Sequence, residues 1–165
     1  EEIIENKDRP SVVDLDSLPF PERDMLPYAL KYSKDIYLST SRGCWGSCTY
    51  CSISPFSSKD FHSPKWRYRS AKNVVNEIEH LLSVYDHNFF GVGDANFIGS
   101  GKVGEKRALD IADEITNRNL AIKFAVYARV DQVDYELLQR LKEAGLTTVY
   151  LGVESGVQSV LDRWK

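Results

Sequence analysis

The 165-residue chain has no excess of basic residues and no long apolar run. Its 21 lysines and arginines stand against 24 aspartates and glutamates, so its formal net charge is −3 at pH 7. Proteins that bind nucleic acid through phosphate contacts usually carry a basic excess, and the composition argues against that class of partner. No apolar stretch reaches the roughly 20 residues that a membrane-spanning helix needs. The first residues also lack the charged and apolar regions of a signal peptide.

Cysteine is scarce and confined to one place. The chain has three cysteines, all between residues 44 and 51. An odd number of clustered thiols fits a reducing compartment better than an oxidising one, which predicts a cytoplasmic protein. The remaining composition, 42% hydrophobic and 27% charged, is that of an ordinary globular chain with length for one domain.

The spacing of Cys44, Cys48 and Cys51 predicts a metal centre. A loop this tight can present three sulfurs to one centre, and [4Fe–4S] clusters are usually held by four cysteine thiolates. Three ligands would leave one iron open, just as catalytic zinc sites keep an open position. A structural zinc site remains an alternative, with a histidine as fourth ligand. The candidates are His62, His80 and His87, although the usual zinc spacings are absent.

The periodicity of the remaining chain predicts alternating strands and helices. Strands are expected at 35–41, 88–94, 120–130 and 147–153, and helices at 71–85, 106–119, 134–144 and 157–165. Residues 54–63, and the glycines at 99, 101 and 104, predict loops. This order predicts an α/β fold: a parallel sheet of (βα) units in a partial TIM barrel of about four units, with right-handed crossovers.

A linker or strap followed by one domain is expected. Residues 1–33 contain four prolines among apolar side chains, which predicts a proline-rich strap over a hydrophobic groove. Residues 34–165 form the partial barrel. Within it, Trp66-Arg67-Tyr68-Arg69 is either an edge strand with solvated arginines or a segment that faces substrate or cofactor.

Polar side chains follow the predicted strands. They are Asp94 with Asn96, Arg129 with Asp131, and Glu154 with Ser155. Because the carboxyl ends of parallel strands share one rim, we expect these groups to lie around the cysteine loop. Two alternatives stay open: Arg129 as the partner of Asp131 or Glu154 in a salt bridge, and Glu154 as a carboxylate favoured by a helix N-terminus.

These motifs resemble a known family. From about Asp35 to Lys165 the chain resembles the amino-terminal part of a radical S-adenosylmethionine (SAM) core, with Gly43-Cys44, Cys48 and Tyr50-Cys51 as its cluster motif. The resemblance implies a [4Fe–4S] cluster whose fourth iron is chelated by SAM. It also implies cleavage of SAM to methionine and a 5′-deoxyadenosyl radical, which takes a hydrogen atom from substrate, with electrons from an external donor. No protein side chain is assigned a catalytic role.

The resemblance assigns SAM contacts to the loop and the strand ends: Tyr50 near the adenine, Gly93 and Asp94 at the amino group, Arg129 at the carboxylate, and Glu154 and Ser155 at the ribose hydroxyls or the methionine end. Gly93-Asp94 departs from the Gly-Gly-Glu that the family usually has there. A planar guanidinium suits the carboxylate, and Gly156 lets backbone approach the ligand closely.

A finer resemblance is to the branch in which a cobalamin-binding domain precedes the radical core. It rests on residues 18–24, 66–70, 93–97 and 152–156, and members include methyltransferases and the anaerobic cyclase of bacteriochlorophyll synthesis. The chain holds neither the cobalamin domain nor the later part of the core, so we expect a piece of a longer enzyme acting on a small molecule. The last strand would then expose an edge, which predicts a possible homodimer. The alternatives are a non-catalytic metal-binding module and a degenerate interaction domain.

Overall fold

The structure is a computed structural model that describes residues 3, 4, 6, 9–33, 35–57 and 64–164. The strands along these residues are β1 (Ile36–Leu38), β2 (Ser41–Gly43), β3 (Trp66–Tyr68), β4 (Phe89–Val92), β5 (Lys123–Arg129) and β6 (Leu146–Gly152). The α-helices are α1 (Leu26–Ala29), α2 (Ile53–Ser57), α3 (Ala71–Val84), α4 (Gly101–Asn117), α5 (Tyr135–Glu143) and α6 (Gln158–Trp164). Short 3-10 turns lie at Leu15–Ser17 and Val130–Gln132.

Four strands form a parallel sheet in the order β1-β4-β5-β6. Helices follow β4, β5 and β6 in the chain, as the alternating pattern predicts, so the α/β prediction is confirmed. In the part of the chain that the structure describes, the sheet does not close into a barrel. A separate antiparallel pair, β2 with β3, lies at the cysteine loop, with Gly43 opposite Trp66.

One face of the parallel sheet is packed against helices, and the other is partly exposed to solvent. Alternate residues such as Phe90, Val92 and Val126 are buried against α3, α4 and α5 in one hydrophobic core. The opposite face carries Tyr37, Tyr127 and Tyr150, each about half exposed. Because side chains alternate along a strand, this second face also carries Arg129 and Gly152 at its carboxyl rim.

Local chemistry explains the boundaries of α3 and α5. The Ser70 hydroxyl accepts a hydrogen bond from the amide of Asn73 and begins α3, as predicted. Asp134 does the same for α5 through the amide of Leu137. Gly145 ends that helix region at φ +108°, where an added Cβ would lie 2.2 Å from the carbonyl oxygen of Ile122.

The prediction of a loop through Gly101 and Gly104 is wrong. Helix α4 begins at Gly101, five residues before the predicted start at 106. Gly104 lies in its first turn, and an added Cβ there would be 2.2 Å from the carbonyl oxygen of Ile98. Gly104 therefore serves close packing of the helix on the preceding loop, a use that the sequence does not distinguish from flexibility.

Other boundaries also differ from the prediction. The predicted first strand is divided into β1 and β2 around Thr40, and β2 was not predicted. Part of the irregular segment at 54–63 is helix α2, while 58–63 lie outside the described residues. The third strand begins at Lys123 rather than 120.

The proline-containing segment lies across β3 and α3. Arg67 donates from Nη1 to the carbonyl of Val12 at 2.7 Å, and Asp16 accepts from the amide of Ser70 at 2.9 Å. Leu15 is buried and Arg23 pairs with Glu77 at 2.9 Å. These contacts are what a strap would make, while the domain division at 33/34 stays a prediction.

The alternatives for Trp66–Arg69 both miss the role of Arg69. The segment is a strand, but Arg69 is only 9% exposed and its Nη1 pairs with Glu77 at 2.6 Å. The carboxylate of Glu77 thereby joins Arg69 to Arg23 of the strap. Arg69 is therefore buried and ion-paired instead of solvated, and through Glu77 it helps to hold the strap.

Strand β6 lies at one edge of the sheet. Its residues Tyr150 and Leu151, and Val153 just after it, are exposed. Dimerisation through this edge stays a prediction. Among the described residues, no helix has the length and apolar character needed to cross a membrane.

Candidate functional site

The cysteine loop begins where β2 ends. Gly43 has φ +79°, a left-handed conformation that glycine adopts without strain, and it turns the chain out of the β2–β3 pair. The turn that follows is closed by the amide of Cys51, which donates to the carbonyl of Cys48 at 3.2 Å. The loop is thus fixed at its entry by a short strand pair and near its end by a backbone bond.

Gly46 keeps open a space beside the sulfurs. A Cβ added at Gly46 would lie 3.5 Å from Sγ of Cys44 and 3.8 Å from Sγ of Cys48. The Gly46 amide also donates to Sγ of Cys44 at 3.4 Å. All three cysteines are free thiols of intermediate exposure. The donor set and the space that a side chain would fill fit an iron–sulfur cluster bound by thiolates.

No group of three or more His, Cys, Asp and Glu side chains within the described residues surrounds a point suited to one metal ion. A cube of four irons is wider than a single ion, so this finding does not conflict with the cluster. Of the alternative zinc ligands, His62 lies outside the described residues. His80 lines a cavity beside the strap with Phe20 and Glu77.

Arg129, the last residue of β5, faces the cysteine loop. Its Nη1 donates to Sγ of Cys48 at 3.6 Å. Its Nε and Nη2 donate to the two carboxylate oxygens of Asp131 at 2.9 and 2.7 Å, and its guanidinium carbon lies 4.9 Å from the ring centre of Trp45. The salt bridge to Asp131 that the sequence left open is therefore present, together with a sulfur contact that it did not predict. The hydrogen bond to Asp131 raises the pKa of Arg129, and Cys48 adds to this rise.

Glu154 turns back toward the same loop. Its φ of +65° is unusual for a residue with a side chain, and conformations of this kind are often found at functional sites. Its Oε1 would be 2.7 Å from a Cβ at Gly152, so glycine makes room for the carboxylate. Desolvation, followed by the hydrogen bond and charge of Glu154, raises the pKa of Tyr50, although about half of the tyrosine surface is exposed.

The last helix also contacts the loop. The amide of Thr49 donates to the carbonyl of Trp164 at 3.3 Å, and the Tyr50 and Trp164 rings lie 4.9 Å apart. Ser155 lies between β6 and α6, where its hydroxyl accepts from the amide of Val157 at 3.1 Å. A Cβ at Gly156 would meet no atom within 4 Å, so the backbone here is open.

Asp94 follows β4, and its carboxylate is buried among internal partners. Its residue is 3% exposed, and its carboxylate accepts hydrogen bonds from the amides and hydroxyls of both Thr40 and Ser41. Four donors occupy the two oxygens, so Asp94 fixes the turn between β1 and β2. Gly93 beside it is exposed, and its amide donates to the carbonyl of Leu38 at 2.8 Å.

Asn96 is also buried and occupied. Its Nδ2 donates to the side-chain oxygen Oε1 of Gln132 at 2.6 Å, and its Oδ1 accepts from the backbone amide of Gly99. Gln132 returns a hydrogen bond to the carbonyl of Gly99. Of the polar groups predicted at the strand ends, Asp94 and Asn96 therefore support the fold from inside.

The structure brings together Tyr50, Cys48, Arg129 and Glu154 at the carboxyl rim of the sheet. Sequence reasoning did not predict a role for Trp45 or Gly46, which lie beside Arg129 and the cysteine sulfurs. A tryptophan and a glycine between cysteines carry no distinguishing pattern. The signal that could have found them is their position inside the ligand spacing itself.

Known proteins resemble this chain along most of its length. Residues 38–165 match the model of the radical SAM superfamily. An uncharacterized methyltransferase of Pyrococcus horikoshii is 32% identical over 93% of this chain and 32% of its own length. The anaerobic magnesium-protoporphyrin IX monomethyl ester cyclase of Rubrivivax gelatinosus is 29% identical over 97% of this chain and 28% of its own length.

Solved structures agree. OxsB, a cobalamin-dependent SAM radical enzyme determined with aqua-cobalamin and SAM bound, superposes with a TM-score of 0.73 at 28% identity, over 93% of this chain and 23% of OxsB. The radical SAM methyltransferase TsrM from Kitasatospora setae shares the fold, with a TM-score of 0.67 at 23% identity over 83% of this chain and 26% of its own. The chain thus spans about a quarter to a third of the relatives described here. With the family model covering most of its residues, the chain belongs to the radical SAM superfamily.

Proposed function

We propose that this chain holds a [4Fe–4S] cluster through Cys44, Cys48 and Cys51 and binds SAM beside it. The observation that supports this most is the space beside Gly46. A Cβ placed there would lie within 3.8 Å of two cysteine sulfurs and of the Arg129 guanidinium. A side chain at residue 46 would occupy it. The space opens at the carboxyl rim, where parallel α/β sheets bind their ligands.

When bound, the cluster and SAM together supply the electron transfer and the radical chemistry of the superfamily. The residues of the chain position and shield these groups. Gly43 directs the loop out of the β2–β3 pair, and Asp94 holds the turn between β1 and β2 through four hydrogen bonds. A loop fixed in this way keeps its thiols near the rim and lowers the cost of ordering them on binding.

We assign SAM contacts to the rim. Arg129 uses three of its five N–H groups on Cys48 and Asp131, which leaves one on each terminal nitrogen for the SAM carboxylate. Glu154 carries acceptors for ribose hydroxyls, and Ser155 lies beside it. Tyr50 offers an exposed ring for the adenine. Because the Asp94 carboxylate has four internal donors, the exposed backbone at Gly93 is the better contact for the SAM amino group.

The reaction of the whole protein is a broader proposal. The relatives include a methyltransferase, a cyclase and a cobalamin-dependent enzyme. We propose that the complete protein uses cobalamin in methyl transfer or a radical rearrangement of a small molecule. An external electron donor and a cytoplasmic location belong to the same proposal.

Calorimetric titration with SAM tests the proposal on anaerobically reconstituted protein. We expect the wild type to hold about four irons per chain and to bind SAM. Cys48→Ala removes one ligand and is expected to lose iron and the SAM heat. Ser47→Ala, an exposed neighbour in the same loop, should retain both. A protein that takes up zinc and releases no heat with SAM contradicts the proposal and favours the metal-binding module.

The exposed edge of the sheet favours a second, non-catalytic role in association. Tyr150, Leu151 and Val153 at β6 are 50%, 41% and 56% exposed. Edge strands with apolar side chains pair readily with other strands. Sedimentation equilibrium of the wild type and of Leu151→Lys tests this role, which predicts a dimer that the charged variant dissociates.

A further inference from the structure

The guanidinium of Arg129 is held against a cysteine sulfur by two neighbouring side chains. Asp131 binds it through two parallel N–H···O bonds of 2.9 and 2.7 Å, a geometry that fixes the plane of the group. The ring of Trp45 lies 4.9 Å from the guanidinium carbon. Trp45 and Asp131 thus fix a single orientation, in which Nη1 lies 3.6 Å from Sγ of Cys48.

The donor to Cys48 is a permanently charged guanidinium in a partly desolvated position. Arginine keeps its proton in proteins, and the side chain of Arg129 is 28% exposed. Charge interactions at such positions are screened less than those on an open surface. Cys44, by contrast, receives the neutral amide of Gly46 at 3.4 Å. The two sulfurs therefore have different hydrogen-bond donors, one charged and one neutral.

Hydrogen bonds to the sulfur ligands, together with nearby charge, set the reduction potential of an iron–sulfur cluster. Adding an electron makes the cluster more negative. A cation that donates to a ligand sulfur stabilises that reduced form and raises the potential.

We propose that Arg129 is a positioning residue that raises the reduction potential of the cluster through its hydrogen bond to Cys48. This inference rests on the proposed cluster at Cys44, Cys48 and Cys51. It is separate from the SAM contact, because it uses an N–H group of Nη1 that already points at sulfur. This hydrogen bond makes the cluster easier to reduce before SAM binds.

The test is an electron-paramagnetic-resonance redox titration of the reconstituted protein without SAM, with iron counted in each sample. Arg129→Gln removes the positive charge beside Cys48, so we expect the midpoint potential to become more negative at unchanged iron content. Arg129→Met keeps an unbranched apolar stem against Trp45 and is expected to shift the potential in the same direction. Arg140→Gln is the matched control, because Arg140 pairs with Asp113 on the helical side.

The outcomes separate the two proposals. Loss of iron from Arg129→Gln leaves the decision to Arg129→Met, which keeps the packing of the stem. A variant that holds the full cluster at the wild-type potential overturns the inference and leaves the proposed function intact. A wild type that forms no reducible cluster overturns both. A shift of equal size in Arg140→Gln also overturns the inference, because the effect would then be one of net charge alone.

Discussion

Arg107 of α4 and Arg129 at the end of β5 both direct their guanidinium groups at residues that flank strands, but the two surroundings differ. Arg107 is 4% exposed and donates to the carbonyls of Arg69, Phe97 and Thr40 and to the Thr40 hydroxyl. Desolvation lowers its pKa to about 10. Arg129 is partly exposed, contacts a thiol and has two N–H groups with no acceptor among the described residues.

The difference separates structural from functional polar groups. Around Thr40, buried donors and acceptors are matched, with Asp94 and Arg107 on either side. Around Cys48, the side chains of Arg129 and Asp131 are 28% and 52% exposed, and two N–H groups of the Arg129 guanidinium remain available to a ligand. Burial with complete hydrogen bonding indicates support of the fold, whereas spare capacity at the rim indicates ligand binding.

The largest expected effect comes from filling the space at the rim. Gly46→Val keeps all three cysteines but places methyl groups beside the sulfurs of Cys44 and Cys48. We expect almost complete loss of iron after anaerobic reconstitution, measured by iron and sulfide analysis.

Ser47→Ala controls for a general effect of changing this loop. Full iron uptake by Gly46→Val would contradict the assignment of the space to the cluster.

The second largest effect is expected from a change in the buried hydrogen-bond network around Thr40. Asp94→Ala removes the acceptor of four hydrogen bonds and leaves the charge of Arg107 without its nearby carboxylate. We expect a loss of about 3–5 kcal/mol in the free energy of unfolding, measured with denaturant. Asp110→Ala, which breaks an exposed pair with Lys106, should cost less than about 1 kcal/mol. Equal losses in the two variants would mean that the buried hydrogen bonds of Asp94 stabilise the fold no more than an exposed ion pair does.

The third prediction concerns the glycine that the sequence suggested was in a loop. In most helices Gly→Ala stabilises by up to about 1 kcal/mol. Gly104→Ala should instead destabilise by about 1–3 kcal/mol, because its Cβ would meet the carbonyl of Ile98. Thermal unfolding measures this against Gly156→Ala, where the space is open. A more stable Gly104→Ala would mean that the close approach is relaxed at little cost.

The smallest effect is expected at the strap. Arg23→Gln removes one of the two arginines on Glu77 while Arg69 remains, so the loss in unfolding free energy should be about 1 kcal/mol. Limited proteolysis should cleave residues 9–33 faster than in the wild type. Lys102→Gln, at a 93% exposed side chain, is the control. Unchanged cleavage would show that the pair of Arg23 with Glu77 does not hold the strap in place.

The sequence predicted the features that depend on local patterns. Alternation of strands and helices, the cap at Ser70 and the glycine stop at Gly145 are read from neighbouring residues, and the structure agrees. The placement of Arg129 and Glu154 on the cysteine side follows from a rule about parallel sheets, since all strand ends share one rim.

The remainder depends on contacts between distant residues. Arg69 meets Glu77 and Asp94 meets Thr40 only in the folded chain, so their polarity alone suggested exposure or ligand binding. Gly104 looks like a loop residue until the carbonyl of Ile98 is placed beside it. A polar residue at a strand end can therefore be assigned to ligand binding or to support of the fold only when its burial is known.

The most direct test of the account compares the paramagnetic spectrum of the reduced, reconstituted protein before and after addition of SAM. Three thiolate ligands and an open rim predict a reduced [4Fe–4S] signal whose shape changes when SAM binds, and no such signal from Cys44→Ala. A protein that carries no reducible iron, or a cluster signal that SAM leaves unchanged, would contradict the account.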